Sequence, residues 1–322
     1  MITTDVPRLA YEVPMRPLVG STFQPTGFPD IGAAEFTRIS PDGQGAERTL
    51  LVESVQSMAN RLEATAWDRG TAQPAALIAA LPYVRVHRAP TGDFLTSSRL
   101  EAHRLASAFI RDAELDGRKM VEVIGERLGL AKDTPLNYPA MARAILRLDP
   151  FCLLHGVFFN AKPWFGQPRF TRAVSAVIEA YGVDRAVSGG RKADVVRHQL
   201  GEGVVGGTSE GYGSVPFHRV AWTAREIRAM FVVDTELLRS YGLGPAATEL
   251  LTCLALWEIR SLLSGGLRLR TACDLELDGD IQVRRGDLQL PLVPDLSARI
   301  AELIAECGEE FADGPLTVAW KG

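Results

Sequence analysis

Apolar and polar residues alternate along RLAYEVPMRP (8–17), which predicts a strand, with Pro14 marking an edge or a bulge. Residues 20–48 are rich in Gly and Pro and show no period, so they read as a long irregular loop, a feature that compact domains rarely keep without a use. Helical spacing then appears at Val55, Met58, Ala59, Leu62 and Ala66, predicting a helix over 53–66. The same period recurs in LEAHRLASAFI (100–110), KMVEVIGERLGL (119–130) and YPAMARAILRL (138–148). The stretch 74–148 therefore reads as mainly helical, with YVRVH (83–87) as a short strand. FCLLHGVFF (151–159) is a continuous apolar run of buried-strand length, and RFTRAVSAVIEAYGV (169–183) reads as a second strand after a turn at Gly166 and Pro168.

Residues 187–216 hold eight glycines and too little apolar periodicity to pack, which predicts a mobile loop. Strand-like VPFHRVAW and IRAMFVV follow. PAATELLTCLALWEIRSLL predicts a helix over 245–263, started by Pro245 and stopped by Gly265 and Gly266. LRLRTACDLEL (267–277) then alternates as a strand. Strand 8–17, helix 53–66, strands 151–159 and 169–183, helix 245–263 and strand 267–277 give the order β-α-β-β-α-β. The expected class is α+β, an RRM-like (ferredoxin-like) core with large helical and loop insertions at about 18–49, 67–150 and 187–216. Segments 215–233 and 298–307 fall outside that scheme as additions. With no internal repeat and no dividing linker, the 322 residues read as a single domain.

Charge narrows the partners. The net charge of −4 argues against a protein that coats nucleic acid through overall positive charge. Residues 267–322 carry six basic and eleven acidic side chains, so the rest of the chain is near neutral and leaves room for a local basic groove. Cys152, Cys253, Cys273 and Cys307 have no metal or redox spacing, and the five histidines form no ligand pair, so no metal and no cofactor are expected. There is no apolar stretch of membrane length and no signal-like start, which makes the cytoplasm the expected compartment.

Two enzyme signatures occur literally. Gly201, Gly203 and Gly206 satisfy G-x-G-x-x-G, and Gly207 to Gly211 satisfy G-x-S-x-G around Ser209. Both lie in a glycine-rich loop without the strand and helix that a dinucleotide site or a nucleophile elbow requires, so chance composition is preferred. Asp30, Glu53, Glu63 and Glu101 form no acid–base pair at a helical spacing. The remaining alternatives to a binding role are a stand-alone hydrolase using Ser209 and a protein-only scaffold.

Polar clusters carry the binding argument. Ser54, Gln56, Ser57, Asn60 and Arg61 crowd the start of the first helix, where free N–H groups suit a phosphate; a plain N-cap explains the serines equally well. Ser97 or Ser98 followed by Arg99, His103 and Arg104 repeats the arrangement, with a solvated helix face as the alternative. Arg169, Arg172, Arg185, Arg191, Lys192, Arg197 and His198 form a third basic set that suits a phosphate-tracking surface, or a solvated charge run. In QPTGFPDIG (24–32), Gln24 and Phe28 offer a polar contact and a ring that either stacks on a base or pins the loop. LHGVFFN contains Phe158 and Phe159 but lacks the usual sheet-aromatic pattern of an RRM.

The strings QPTGFPDIGAAEF, LLVESVQSMANRLE, TSSRLEAHRLAS, VPFHRV and GGLRLRTACDLE together resemble the backbone subunit of the type I-U (I-G) CRISPR Cascade complex, of the RAMP superfamily. The resemblance spans nearly the full chain. It implies an RRM-like palm with insertions that binds CRISPR RNA, polymerises along it with copies of itself and other Cascade subunits, and meets target DNA through the guide. It implies no catalytic role. The RNA contacts expected on this basis are Gln24, Phe28, Ser54, Gln56, Ser57, Asn60, Arg61, Arg99, His103, Arg104, Arg169, Arg172, Arg191 and Lys192.

Overall fold

The computed structural model describes residues 5–27, 32–40, 43, 45–193, 214–311 and 314–322. Along the chain run β1 (Leu9–Pro17), β2 (Ala34–Ile39), β3 (Ala46–Glu53), α1 (Val55–Thr65), β4 (Trp67–Asp68), β5 (Gln73–Pro74), β6 (Val84–Arg88) and β7 (Phe94–Ser97). Next come α2 (Ala108–Arg111), β8 (Glu114–Leu115), β9 (Arg118–Lys119), α3 (Met120–Arg127), α4 (Tyr138–Leu148) and α5 (Phe151–His155). β10 (Val157–Phe158), β11 (Arg169–Phe170), β12 (Val174–Tyr181), β13 (Asp184–Ala193), β14 (Ser214–Thr223) and β15 (Glu226–Val233) follow. The chain closes with α6 (Thr235–Ser240), α7 (Pro245–Ser264), β16 (Leu267–Arg270), β17 (Cys273–Leu277), β18 (Gln282–Arg285), α8 (Val293–Glu306) and β19 (Leu316–Trp320).

The main sheet is antiparallel in the order β16-β17-β1-β15-β12-β3-β2, with β18 also paired to β1. Its central strands share one register: Tyr11 lies opposite Phe231 and Ala176 opposite that same Phe231, while Val13 and Ile178 flank Ala229. Alternate residues are therefore buried on one face, namely Leu9, Tyr11, Val13 and Met15 on β1 and Ile227, Ala229, Phe231 and Val233 on β15. α1 and α7 pack onto that face. α7 is buried nearly all round, as its uniformly apolar sequence requires. No helix of the described residues is long and apolar enough to cross a membrane.

The mixed α/β class is as expected from the sequence, with corrections to several elements. Phe151–His155 is helical, not the start of a strand. The buried carboxylate of Asp149 accepts the Phe151 N–H at 3.1 Å and starts the turn, and Gly156, at φ +81°, ends it where a Cβ would meet the Phe170 carbonyl oxygen at 2.8 Å. The two strands that follow α1 on the central sheet are consequently β12 and β15, so residues 226–233 belong to that sheet between β1 and β12, while β14 stands outside it, paired with β13.

The irregular stretch 20–48 contains β2 and the start of β3. In the 187–216 segment, β13 and β14 pair as a long hairpin; residues 194–213, with both glycine signatures and Ser209, lie outside the described residues.

Between 74 and 148, α3, α4 and the strand near 83–87 stand where the period places them. The expected helix over 100–110 does not form as one unit. Arg104 takes φ +50°, and the Ser107 hydroxyl accepts the Phe109 N–H to start the separate short helix α2. β6 belongs to a second sheet, β7-β6-β19-β8-β9, in which the last strand of the chain pairs parallel to β6.

Candidate functional site

Helix α1 begins on a network built by Glu53. This buried carboxylate accepts from the Thr26 hydroxyl at 2.7 Å and, through its other oxygen, from Arg61 Nε at 2.8 Å. Arg61 also donates to the carbonyls of Leu269 (2.8 Å) and Arg268 (3.3 Å), so it ties α1 to β16. Ser54 is the N-cap, its hydroxyl accepting the Ser57 N–H at 3.3 Å. Gln56 and Asn60 are exposed. Between α1 and β16 a groove of about 450 Å³ is lined by Ser57, Asn60, Arg61, Arg69 and Arg268.

A second cleft opens at the root of the β13–β14 hairpin. Phe23 exchanges both backbone hydrogen bonds with Trp222, and Gln24 donates from its backbone to Ala272 and from its side chain to the Val220 carbonyl at 3.0 Å. Arg270 reaches back to the Pro25 carbonyl at 3.3 Å. The resulting cleft, about 820 Å³, gathers Gln24, Arg185, Arg219, Arg270, Phe217 and Trp222. Gln24, Arg219 and Arg270 also border a neighbouring groove beneath Leu18, Val19 and Val187.

Charges in this cleft differ in freedom. Arg185 stacks 5.3 Å from the Trp222 ring and pairs with Glu35, whose carboxyl is held below the usual carboxylate range by the Arg185 hydrogen bond and by Arg48. Arg219 and Arg268 have no acidic side-chain partner among the described residues. The free Arg219 guanidinium beside the half-exposed Phe217 ring can hold a phosphate while the ring stacks a base. Because Arg268 and Arg270 lie two apart on β16, one strand carries cations into both spaces.

The residues expected from sequence divide clearly. Gln24 lines the cleft, and Ser57, Asn60 and Arg61 line the groove, while Ser54 caps α1 and Gln56, exposed on its first turn, lines neither space. Arg61 already donates three hydrogen bonds within the fold, which makes it a brace as much as a contact.

Arg99 and Arg104 correct the picture of a basic helix face. Arg99 is buried against the Phe151 ring at 4.5 Å, 3.6 Å from Asp149, and burial pulls its pKa down. Arg104 grips Glu63 with two hydrogen bonds, at 2.6 and 2.8 Å, and donates a third to the Gly156 carbonyl at 2.9 Å. Only His103 of that trio faces solvent.

Arg169 is exposed and Arg172 half-buried, both outside the two spaces along β16. Arg191 is exposed on β13, opposite Pro216. Lys192 is the next residue of that strand, and Phe28 lies outside the described residues. Sequence reasoning missed Arg69, Arg219, Arg268 and Arg270. The signal for the last three was present as basic residues alternating with apolar ones in VPFHRVAW and LRLR, which read as strands and as part of the family resemblance but not as contacts.

The model of the family described as CRISPR-associated protein GSU0053 matches residues 9–185, more than half of the chain. Among solved structures, one titled "CRISPR RNA-guided surveillance complex, pre-nicking" is similar at 14% identity and a TM-score of 0.42, over 84% of this chain and 74% of that one. Csc2 of Thermofilum pendens is similar at 12% identity and a TM-score of 0.33, over 94% of this chain and 77% of that one. No curated protein matches.

Proposed function

The chain belongs to the family of CRISPR-associated protein GSU0053, and from that premise we propose that it is a CRISPR RNA-binding backbone subunit of a type I Cascade surveillance complex. Copies polymerise along the guide, other Cascade subunits complete the particle in the cytoplasm, and target DNA is met through base pairing with the guide. In such a division of labour the protein reads the guide's backbone and contributes no catalysis. The observation that carries this reading is the pair of basic spaces joined along β16, Arg219 beside the exposed Phe217 ring in the cleft and Arg268 in the groove, both without an acidic side-chain partner among the described residues. A few phosphate contacts per copy suffice, because assembly multiplies them along one RNA.

The order β17-β1-β15-β12, with α1 and α7 as the crossovers, supports a ferredoxin-like, RRM-type core within one domain. Insertions at about 18–49, 67–150 and 187–216 decorate it. The expected guide contacts are Gln24, Phe28, Ser57, Asn60 and Arg61 together with Arg219, Arg268 and Arg270, with Arg191 and Lys192 on the hairpin beyond the cleft.

Purification with a co-expressed CRISPR array tests the proposal. The expected product is a large particle whose absorbance ratio shows nucleic acid and which releases discrete guide-length RNA. An RNA-free monomer at low salt overturns it.

A further inference from the structure

Between Pro150 and Ile178 the chain has no Asp or Glu, while Lys162, Arg169 and Arg172 lie in that stretch with Phe158, Phe159, Trp164 and Phe165. β10 and β11 pair there as a small hairpin, with Phe158 directly opposite Arg169. Its aromatic residues separate by direction. Phe159 and Trp164 are buried edge-to-face at 5.2 Å, and Trp164 Nε1 donates to the Val121 carbonyl at 2.9 Å. Gln167 donates to the Asn160 carbonyl at 2.9 Å across the loop, and Gly166, at φ +74°, sits where a Cβ would meet Leu136 at 2.8 Å. The loop is thus pinned from within by two aromatics, and their chain neighbours Phe158 and Phe165 are turned outward, 47% and 45% exposed.

Two large rings held outward on one pinned loop present apolar faces available to a partner. The Arg169 guanidinium lies 6.0 Å from the Phe158 ring and Lys162 is exposed, so the surface offers cations and aromatic faces together. The carboxylates lining the groove that Pro163 borders are Glu122 and Glu126, and Glu126 is engaged by Arg118 at 2.6 Å. Basic charge with open rings and no acid of its own complements a strand that carries phosphates and unstacked bases.

We propose that the β10–β11 hairpin is a second nucleic-acid site, a stacking platform on which Phe158 and Phe165 receive bases of a single strand while Lys162 and Arg169 hold its phosphates. The site lies apart from the spaces along β16 and does not depend on the guide-binding reading.

The test uses the full chain, stripped of nucleic acid, and fluorescence anisotropy with mixed-sequence single-stranded DNA, single-stranded RNA and duplex DNA. Phe158→Ala with Phe165→Ala should weaken single-strand binding roughly tenfold while leaving the thermal midpoint near that of the parent. Phe158→Leu with Phe165→Leu keeps apolar bulk without a ring face and should weaken it similarly. The same loss should appear in the Arg219→Ala, Arg268→Ala background, since the two sites share no residues.

A 5-bromouracil-substituted strand should photocrosslink to the peptide 157–170 in the parent and in that background. Tighter RNA than DNA identifies a guide-type strand; the reverse identifies a DNA strand. Wild-type affinity in either double variant overturns the proposal, as does equal affinity for the duplex. Absence of the crosslink overturns it too, and so does a change in sedimentation of the nucleic-acid-free double variant, which would mark a protein contact instead.

Discussion

The outer face of the main sheet and the cleft at the root of the β13–β14 hairpin are both rich in arginine, yet only one is fit to hold phosphate. On the sheet, Arg284 and Arg228 share Glu12 at 2.6 and 3.0 Å, Arg228 also pairs with Glu226, and Arg38 pairs with Glu47 at 2.9 Å while lying 3.5 Å over the Tyr181 ring. Each of these three guanidiniums has a carboxylate. In the spaces along β16, Arg219 and Arg268 have none among the described residues. A paired guanidinium must break its ion pair to take a phosphate, so the number of arginines says little and their pairing decides where an anionic strand can run.

That contrast has three grades, since some arginines are neither sheet decoration nor cleft lining. Arg104 is buried and holds α1 to the root of β10 through Glu63 and Gly156. Arg104→Ala strands the Glu63 charge, and urea unfolding should show a loss of about 3–5 kcal/mol, the largest effect expected here. In the spaces along β16, Arg219→Ala with Arg268→Ala should leave unfolding unchanged and flatten the log–log dependence of RNA affinity on salt by about two. Arg38→Ala or Arg228→Ala should leave that slope as it is. A slope change on the sheet face with none in the cleft would reverse the comparison.

The same distinction explains what the sequence disclosed. β1, α1 and the strand after Gly266 were legible because each buries one clean stripe, such as Leu9, Tyr11, Val13 and Met15, or Met58, Ala59 and Leu62, and α7 was legible from its length between Pro245 and Gly265. FCLLH misled because a short run that is apolar on every side has no period, while the turn is held at its ends by the Asp149 carboxylate and by Gly156. β2 was hidden for the opposite reason. It is an edge strand with Phe36 and Ile39 both open to solvent, so neither face reads as core. For the site, the sequence showed where polar residues cluster around α1, but burial of Arg99 and the freedom of Arg219 depend on partners 50 residues away or on their absence. Such pairing is set by tertiary contact and leaves no local pattern.

Smaller effects sharpen the comparison at α1. Ser54→Ala removes the cap and should cost about 1 kcal/mol by urea unfolding. If Ser54 acts only as a cap, RNA affinity should stay within the error of anisotropy titrations, whereas a severalfold loss would place a phosphate on the first turn.

The smallest expected effect lies where the two kinds of arginine meet, at Arg185. It lines the cleft, but Glu35 engages it and is engaged in turn by Arg48 at 2.9 Å. The Arg185 hydrogen bond, ahead of that from Arg48, holds the Glu35 carboxyl below its ordinary value. A depressed carboxyl contributes stability that is present above the unfolded-state pKa and is lost as pH falls through the folded-state value, so neutral pH retains all of it. Glu35 is exposed enough that this contribution is slight. Its effect on binding has the opposite sign, because the ion pair occupies a guanidinium that a phosphate would otherwise take. Glu35→Gln should therefore raise RNA affinity about two- to threefold at neutral pH. In the parent, affinity should rise as pH is lowered through the Glu35 titration followed by carboxyl NMR, and the variant should lose that rise. Equal pH profiles for the two proteins would mean that Arg185, although it lines the cleft, belongs with the paired arginines of the sheet.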